Sequence, residues 1–107
     1  MRQAFAHDAS VIIEPSGDVR AIGGAITVAL CGHWEHEPPC PLAPHHTATE
    51  VAGDEVAVRI LFAAEPADEG EVRRRIEHAL SRWEVRGSGA SEVRPGEAEH
   101  AERLGRT

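Results

Sequence analysis

Val19-Arg20-Ala21-Ile22-Gly23-Gly24-Ala25-Ile26-Thr27-Val28-Ala29-Leu30 joins the first apolar run of the chain to a segment dense in cysteine and histidine. Its periodicity decides the architecture. Beyond the glycine pair, Ile26, Val28 and Leu30 alternate with Thr27, Ala29 and Cys31. A period of two is that of a strand with one buried face, and Gly23-Gly24 fits a bulge or bend within it. Read this way, 19–30 is the second of four strands.

The neighbouring stretches extend that reading. Residues 10–14 (Ser-Val-Ile-Ile-Glu) form a β-branched run, closed by the turn residues Pro15-Ser16-Gly17-Asp18. Residues 47–52 make a third strand, and Gly53-Asp54 a turn. Residues 55–64 alternate most cleanly: Val56, Val58, Ile60 and Phe62 on one face, Ala57, Arg59, Leu61 and Ala63 on the other. From 68 to 83 the period changes. Val72, Ile76, Ala79, Leu80 and Trp83 fall on one helical stripe. Asp68 and Glu71 have capping-box spacing, and Glu71 with Arg75 makes an i,i+4 pair.

These runs predict an α+β fold in two layers. A four-stranded antiparallel sheet carries one helix packed on one face, in the order β-β-β-β-α. Gly87-Ser88-Gly89-Ala90-Ser91 has linker composition, and 98–104 is highly charged. The expected division is a single α+β domain over 1–86 and a polar tail over 87–107, weakly helical or flexible.

The chain has 107 residues, two Phe, two Trp and no Tyr, so its core should be thin and aliphatic. A net charge of −7 argues against a nucleic-acid partner, which needs a basic stripe. The run Arg73-Arg74-Arg75 is flanked by Glu69, Glu71 and Glu77, and reads as the solvated face of a helix. The first residues lack the apolar run of a signal peptide, and no stretch has the length of a membrane span. A soluble, cytoplasmic protein without a membrane partner is expected.

The stretch 31–46 suggests a metal site: Cys31-Gly32-His33-Trp34-Glu35-His36-Glu37-Pro38-Pro39-Cys40-Pro41-Leu42-Ala43-Pro44-His45-His46. It holds both cysteines, four of the seven histidines and four of the seven prolines. Thiolate and imidazole are the usual ligands of zinc and other borderline metals, and in a reducing compartment two cysteines read as thiols or ligands rather than a disulfide. With 19–30 as a strand, alternation turns Cys31 and His33 to one face, while His45-His46 return on the partner strand. The expected ligands are Cys31, His33, Cys40 and one of His45 or His46, with His36 in reserve. The spacing matches no Cys-x-x-Cys knuckle, Cys2His2 finger or His-Glu-x-x-His helix. Glu35 and Glu37 read as exposed acids. His7, His78 and His100 read as surface.

Three functions follow from this set. The first is a small metal-binding protein with a structural or metal-handling role, its cofactor zinc, with copper or nickel admitted by an imidazole-rich set. The second is a small metal- or thiol-dependent enzyme, which would need an open coordination position or an activated cysteine. The third is an interaction domain. A mildly apolar sheet face opposite the helix (Ala57, Leu61, Ala63, Ala29 and Thr27) would meet a second copy or a protein partner.

Overall fold

The alternation of Val56, Val58, Ile60 and Phe62 builds an inner strand of the sheet, with those four side chains buried among the helices. The computed structural model describes residues 3–14, 16–31 and 44–105. Its strands are β1 (Gln3–Ile12), β2 (His45–Ala52), β3 (Glu55–Ala64) and β4 (Glu84–Ser91). Its helices are α1 (Arg20–Cys31), α2 (Glu69–Leu80) and α3 (Ala98–Gly105). The sheet is antiparallel throughout, in the order β2-β3-β1-β4.

The α+β class holds, but the expected order does not. The stretch expected as the second strand is the helix α1. Ile22, Ile26 and Leu30, four residues apart, are buried against the sheet together with Ala25. Val28, which alternation would bury, is 42% exposed. A spacing of four is shared by both periods, so Ile26 and Leu30 satisfied either reading. Ile22 and Ala25 belong only to the helical one. The helix start is fixed by Asp18. Its carboxylate accepts the Arg20 backbone N–H at 2.9 Å, and its carbonyl accepts that of Ala21 at 2.9 Å.

Topology requires this helix. Both β1 and β2 pair antiparallel with β3, so they run parallel to each other with β3 between them. A parallel connection needs a crossover. The same holds for β3 and β4 across β1, with α2 as crossover. The result is two interleaved β-α-β units, the connectivity called ferredoxin-like. α1 and α2 lie on one face and enclose an aliphatic core, with Phe62 its large aromatic member and Trp83, beyond the end of α2, packed at its margin. Between β2 and β3 the turn rests on Gly53, whose φ of 67° lies in the left-handed region that favours glycine.

Three further expectations change. The Gly-Ser stretch 87–91, marked as linker by composition, lies within β4 and pairs with β1 from Ser10↔Gly87 to Ala6↔Ser91. Residues 98–105 form α3, which packs on β3 and β1 across the face opposite α1 and α2, where Ala6, Leu61, Ala63 and Ala101 are all buried. Leu61 is 4% exposed there, and Thr27 and Ala29 belong to α1. The open apolar face on which self-association was expected is therefore largely covered. Finally, Asp68 makes no side-chain cap hydrogen bond, because the 3-10 turn Pro66–Asp68 runs directly into α2. The expected Glu71–Arg75 pair is present, and Glu71 also meets Arg74.

One arginine joins α3 to the sheet. The Arg59 guanidinium donates five hydrogen bonds. Two go to the Glu97 carboxylate (2.7 and 2.6 Å), and one each to Asp8 (2.8 Å), the Ser91 hydroxyl (2.9 Å) and the Glu92 carbonyl (2.7 Å). All five N–H groups of the fork are used. The side chain is 14% exposed, so the pairing is screened only in part. Arg59 draws the Glu97 carboxyl down from 4.5 to about 2.

Two outcomes follow. If 19–30 is helical, Ile26→Ala should cost about 2–5 kcal/mol, whereas Val28→Ala should stay within about 0.5 kcal/mol. A strand would make the two costs alike. Denaturant unfolding of the two variants decides it. Because Glu97 titrates lower when folded, its contribution is full above pH 4.5 and is lost as pH falls toward 2. Acid unfolding of Glu97→Gln should therefore lack part of that slope; a slope identical to the parent's would show that Glu97 is not what Arg59 holds.

Candidate functional site

The Cys/His-rich segment leaves from the C-terminus of α1 and returns at the start of β2. Cys31 is the last residue of α1, so the strand alternation that set it beside His33 does not apply. His33, His36 and Cys40 lie outside the described residues, as do Glu35 and Glu37. His45 and His46 open β2, opposite Phe62 and Leu61 of β3. Successive strand residues face opposite sides. His45 therefore sits on the side of α1 and α2, and His46 on the side of α3.

The two ends of the segment meet. His45 Nε2 and Thr27 Oγ1 share a hydrogen bond of 3.1 Å, and Thr27 lies one turn before Cys31 on the same helix. Beside this contact runs a groove of about 400 Å³ between α1 and the edge strand β2, bordered by Arg20, Gly23, Gly24, Thr27, His45 and Thr47. A side chain at Gly23 would meet nothing within 4 Å, so that wall stands open. The Thr47 hydroxyl is buried there, with no hydrogen-bond partner among the described residues. Arg20 is held at the mouth by Asp18, through contacts of 3.2 and 3.1 Å. Among the described residues no three His, Cys, Asp or Glu side chains gather as a metal-binding group. His46 instead meets His100 of α3, ring centre to ring centre at 4.6 Å.

A second polar centre was missed by the sequence reading. His7, expected on the surface, is 1% exposed. It lies on the core-facing side of β1 with Ala9 and Val11. Alternation through Phe5, His7, Ala9 and Val11 carries the signal, although the β-branched run itself starts only at Ser10. Arg73, expected to be solvated like its neighbours, turns inward over the rings of Phe62 and Phe5, at 5.3 and 6.0 Å. It is held by Glu69 at 2.8 Å and donates to the Ala6 carbonyl at 2.9 Å.

Arg73 fixes the chemistry of His7. A guanidinium only donates, so at 3.0 Å the His7 Nδ1 must accept. The ring proton then sits on Nε2, which donates to the Ser88 hydroxyl at 2.8 Å. A histidine that donates to a serine cannot take that serine's proton, so this pair is not a nucleophile with its base. Burial first, then the Arg73 charge, lowers the His7 pKa from its ordinary 6.5, against the opposite pull of Glu77 and Asp8. The arrangement docks the edge strand β4 onto β1 through a neutral imidazole.

Compared with models of known protein families, with curated proteins and with solved structures, the chain matches none.

The folded state disfavours charged His7, so its contribution to stability is full above pH 6.5 and declines as pH falls below it toward the lowered folded value. His7→Gln should remove that decline. Unfolding midpoints between about pH 7 and about pH 5 measure it. An unaltered pH profile in the variant would mean that His7 does not titrate with unfolding.

Proposed function

We propose that the protein binds a transition metal, zinc first, through thiolate and imidazole groups of the segment between α1 and β2. Its role would be structural or metal-handling. The observation that carries this reading is the Thr27–His45 hydrogen bond. It joins the helix that ends in Cys31 to the strand that begins at His45. The most ligand-rich segment of the chain is thereby closed at its base. A metal clip contributes most where it closes a long connection between two elements.

The ligand set is Cys31, His33, Cys40 and His45, with His36 in reserve. His45 is preferred to His46 because it shares the helix side with Thr27, whereas His46 faces α3. Four such groups fill a tetrahedral zinc sphere. A cytoplasmic location belongs to the same proposal, since there thiols stay reduced and available to the metal. No helix among the described residues is long and apolar enough to cross a membrane.

A metal-dependent enzyme is the second reading, favoured by the groove beside His45. Its size falls within the usual range of ligand pockets, about 300–1,000 Å³. An open coordination position would support it, and four filled positions would support the structural role.

Cys31→Ser and Cys40→Ser should each lower the zinc content of the purified protein and its thermal midpoint together. Because a thiol must lose its proton to bind, affinity should fall as pH drops below neutral. Elemental analysis checks this. Protein prepared under reducing conditions that carries no metal, and takes up neither zinc nor copper at about micromolar concentration, overturns the proposal.

A further inference from the structure

His46 and His100 come from distant parts of the chain. His46 is the second residue of β2, an edge strand, and is exposed; His100 is the third residue of α3 and half-buried. Their ring centres are 4.6 Å apart and their planes are inclined by 55°. The inclination excludes a parallel stack. It also directs attention to the distance, because two imidazoles that share a metal ion have a characteristic separation.

A metal–nitrogen bond of about 2.0–2.1 Å along the ring axis sets an ion about 3.2 Å from each ring centre. Two rings at about 90° around that ion then have centres about 4.5 Å apart, and two at the tetrahedral angle about 5.2 Å apart. The observed 4.6 Å lies at the right-angled end of this range. Cis nitrogen pairs at right angles are the geometry of square-planar and tetragonal ions such as copper(II) and nickel(II), for which imidazole is a suitable ligand.

We infer that His46 and His100 form a two-imidazole site for a divalent transition ion, copper(II) or nickel(II) before zinc, with water in the remaining positions. The site is separate from the loop reading and does not depend on it. His100 belongs to no part of the loop, and His46 faces the side of the sheet opposite His45. A bound ion would join β2 directly to α3, about one turn beyond the Arg59–Glu97 attachment.

The test uses the full chain and nickel(II) or copper(II) salts alone. Equilibrium dialysis should show that His100→Gln and His46→Gln each weaken uptake of one nickel ion by at least about tenfold, the lower end of what losing even a supporting partner costs a metal site. Cys40→Ser should retain that ion. Glutamine keeps a polar side chain in contact with the neighbouring ring, and circular dichroism should show a parent-like spectrum for both variants. Substoichiometric copper(II) should broaden the ring-proton resonances of His46 and His100 together. His100→Gln that binds nickel as the parent does would mean rings in contact only, and overturns the site. So does broadening that reaches His46 without His100, or loss of the same ion in Cys40→Ser, since either would assign the ion to the loop. Failure of the loop proposal alone appears differently: zinc uptake insensitive to Cys31→Ser and Cys40→Ser.

Discussion

Arg59 carries a charge into the middle of the sheet, and the chain is arranged to receive it. Burial of an unpaired cation is prohibitive, and a pair buried without further hydrogen bonds recovers little of its desolvation. Here every donor of the fork has an acceptor, drawn from β1, β4, the link after β4 and the turn before α3. The geometry is that of a planar fork meeting a carboxylate with two parallel bonds, which lysine cannot reproduce. α3 has few apolar side chains of its own; Ala101 is its buried residue among those described. The position of α3 over Ala6, Leu61 and Ala63 thus depends on Glu97 as much as on packing, and with it the position of His100.

Arg73 plays a related part on the other face. Its guanidinium lies over Phe62 and Phe5, is neutralised by Glu69, and reaches past them to the β1 backbone and His7. The cation–π contacts let the charge sit against an aliphatic core, and the acceptor it needs fixes the imidazole tautomer. Two arginines of similar exposure, 14% and 15%, thus connect the sheet to its two covering layers.

What could be read in the sequence was what alternation and composition encode without ambiguity. Glu55–Ala64 alternates as far as Ile60 before both faces become buried, and Glu69–Leu80 has a helical stripe that no other period fits. Both were legible. Val19–Leu30 was not, because its residues 26, 28 and 30 imitate a strand while Ile22, Ile26 and Leu30 serve the helix. Two glycines of low helix propensity strengthened the wrong reading. Only the pairing of β1 with β3, a contact between distant residues, requires a crossover there. The Gly-Ser composition of β4 concealed an edge strand for a similar reason: its place is set by hydrogen bonds to β1 and by Ser88 to His7, not by apolar side chains. For the Cys/His-rich segment, composition singled out the candidate residues, and the structure adds that His45 meets Thr27 at its base while His46 meets His100.

The order of strands across the sheet also sets an order in time. Of the four strands β1 is synthesised before the others, yet it is an inner strand whose two neighbours are β3 and β4. The β2–β3 hairpin is the pairing the chain can make locally, around Gly53, and it can form while β1 still waits for β4. Distant pairings of this kind slow folding, and they leave both edges of an emerging strand open to other chains. In Gln3–Ile12 the apolar run is interrupted at its middle by His7 and Asp8. In the finished protein these two residues receive Arg73 and Arg59. Before those partners arrive, the same two residues interrupt the apolar run, which is how gatekeeper residues reduce the tendency of a strand to pair with its copies.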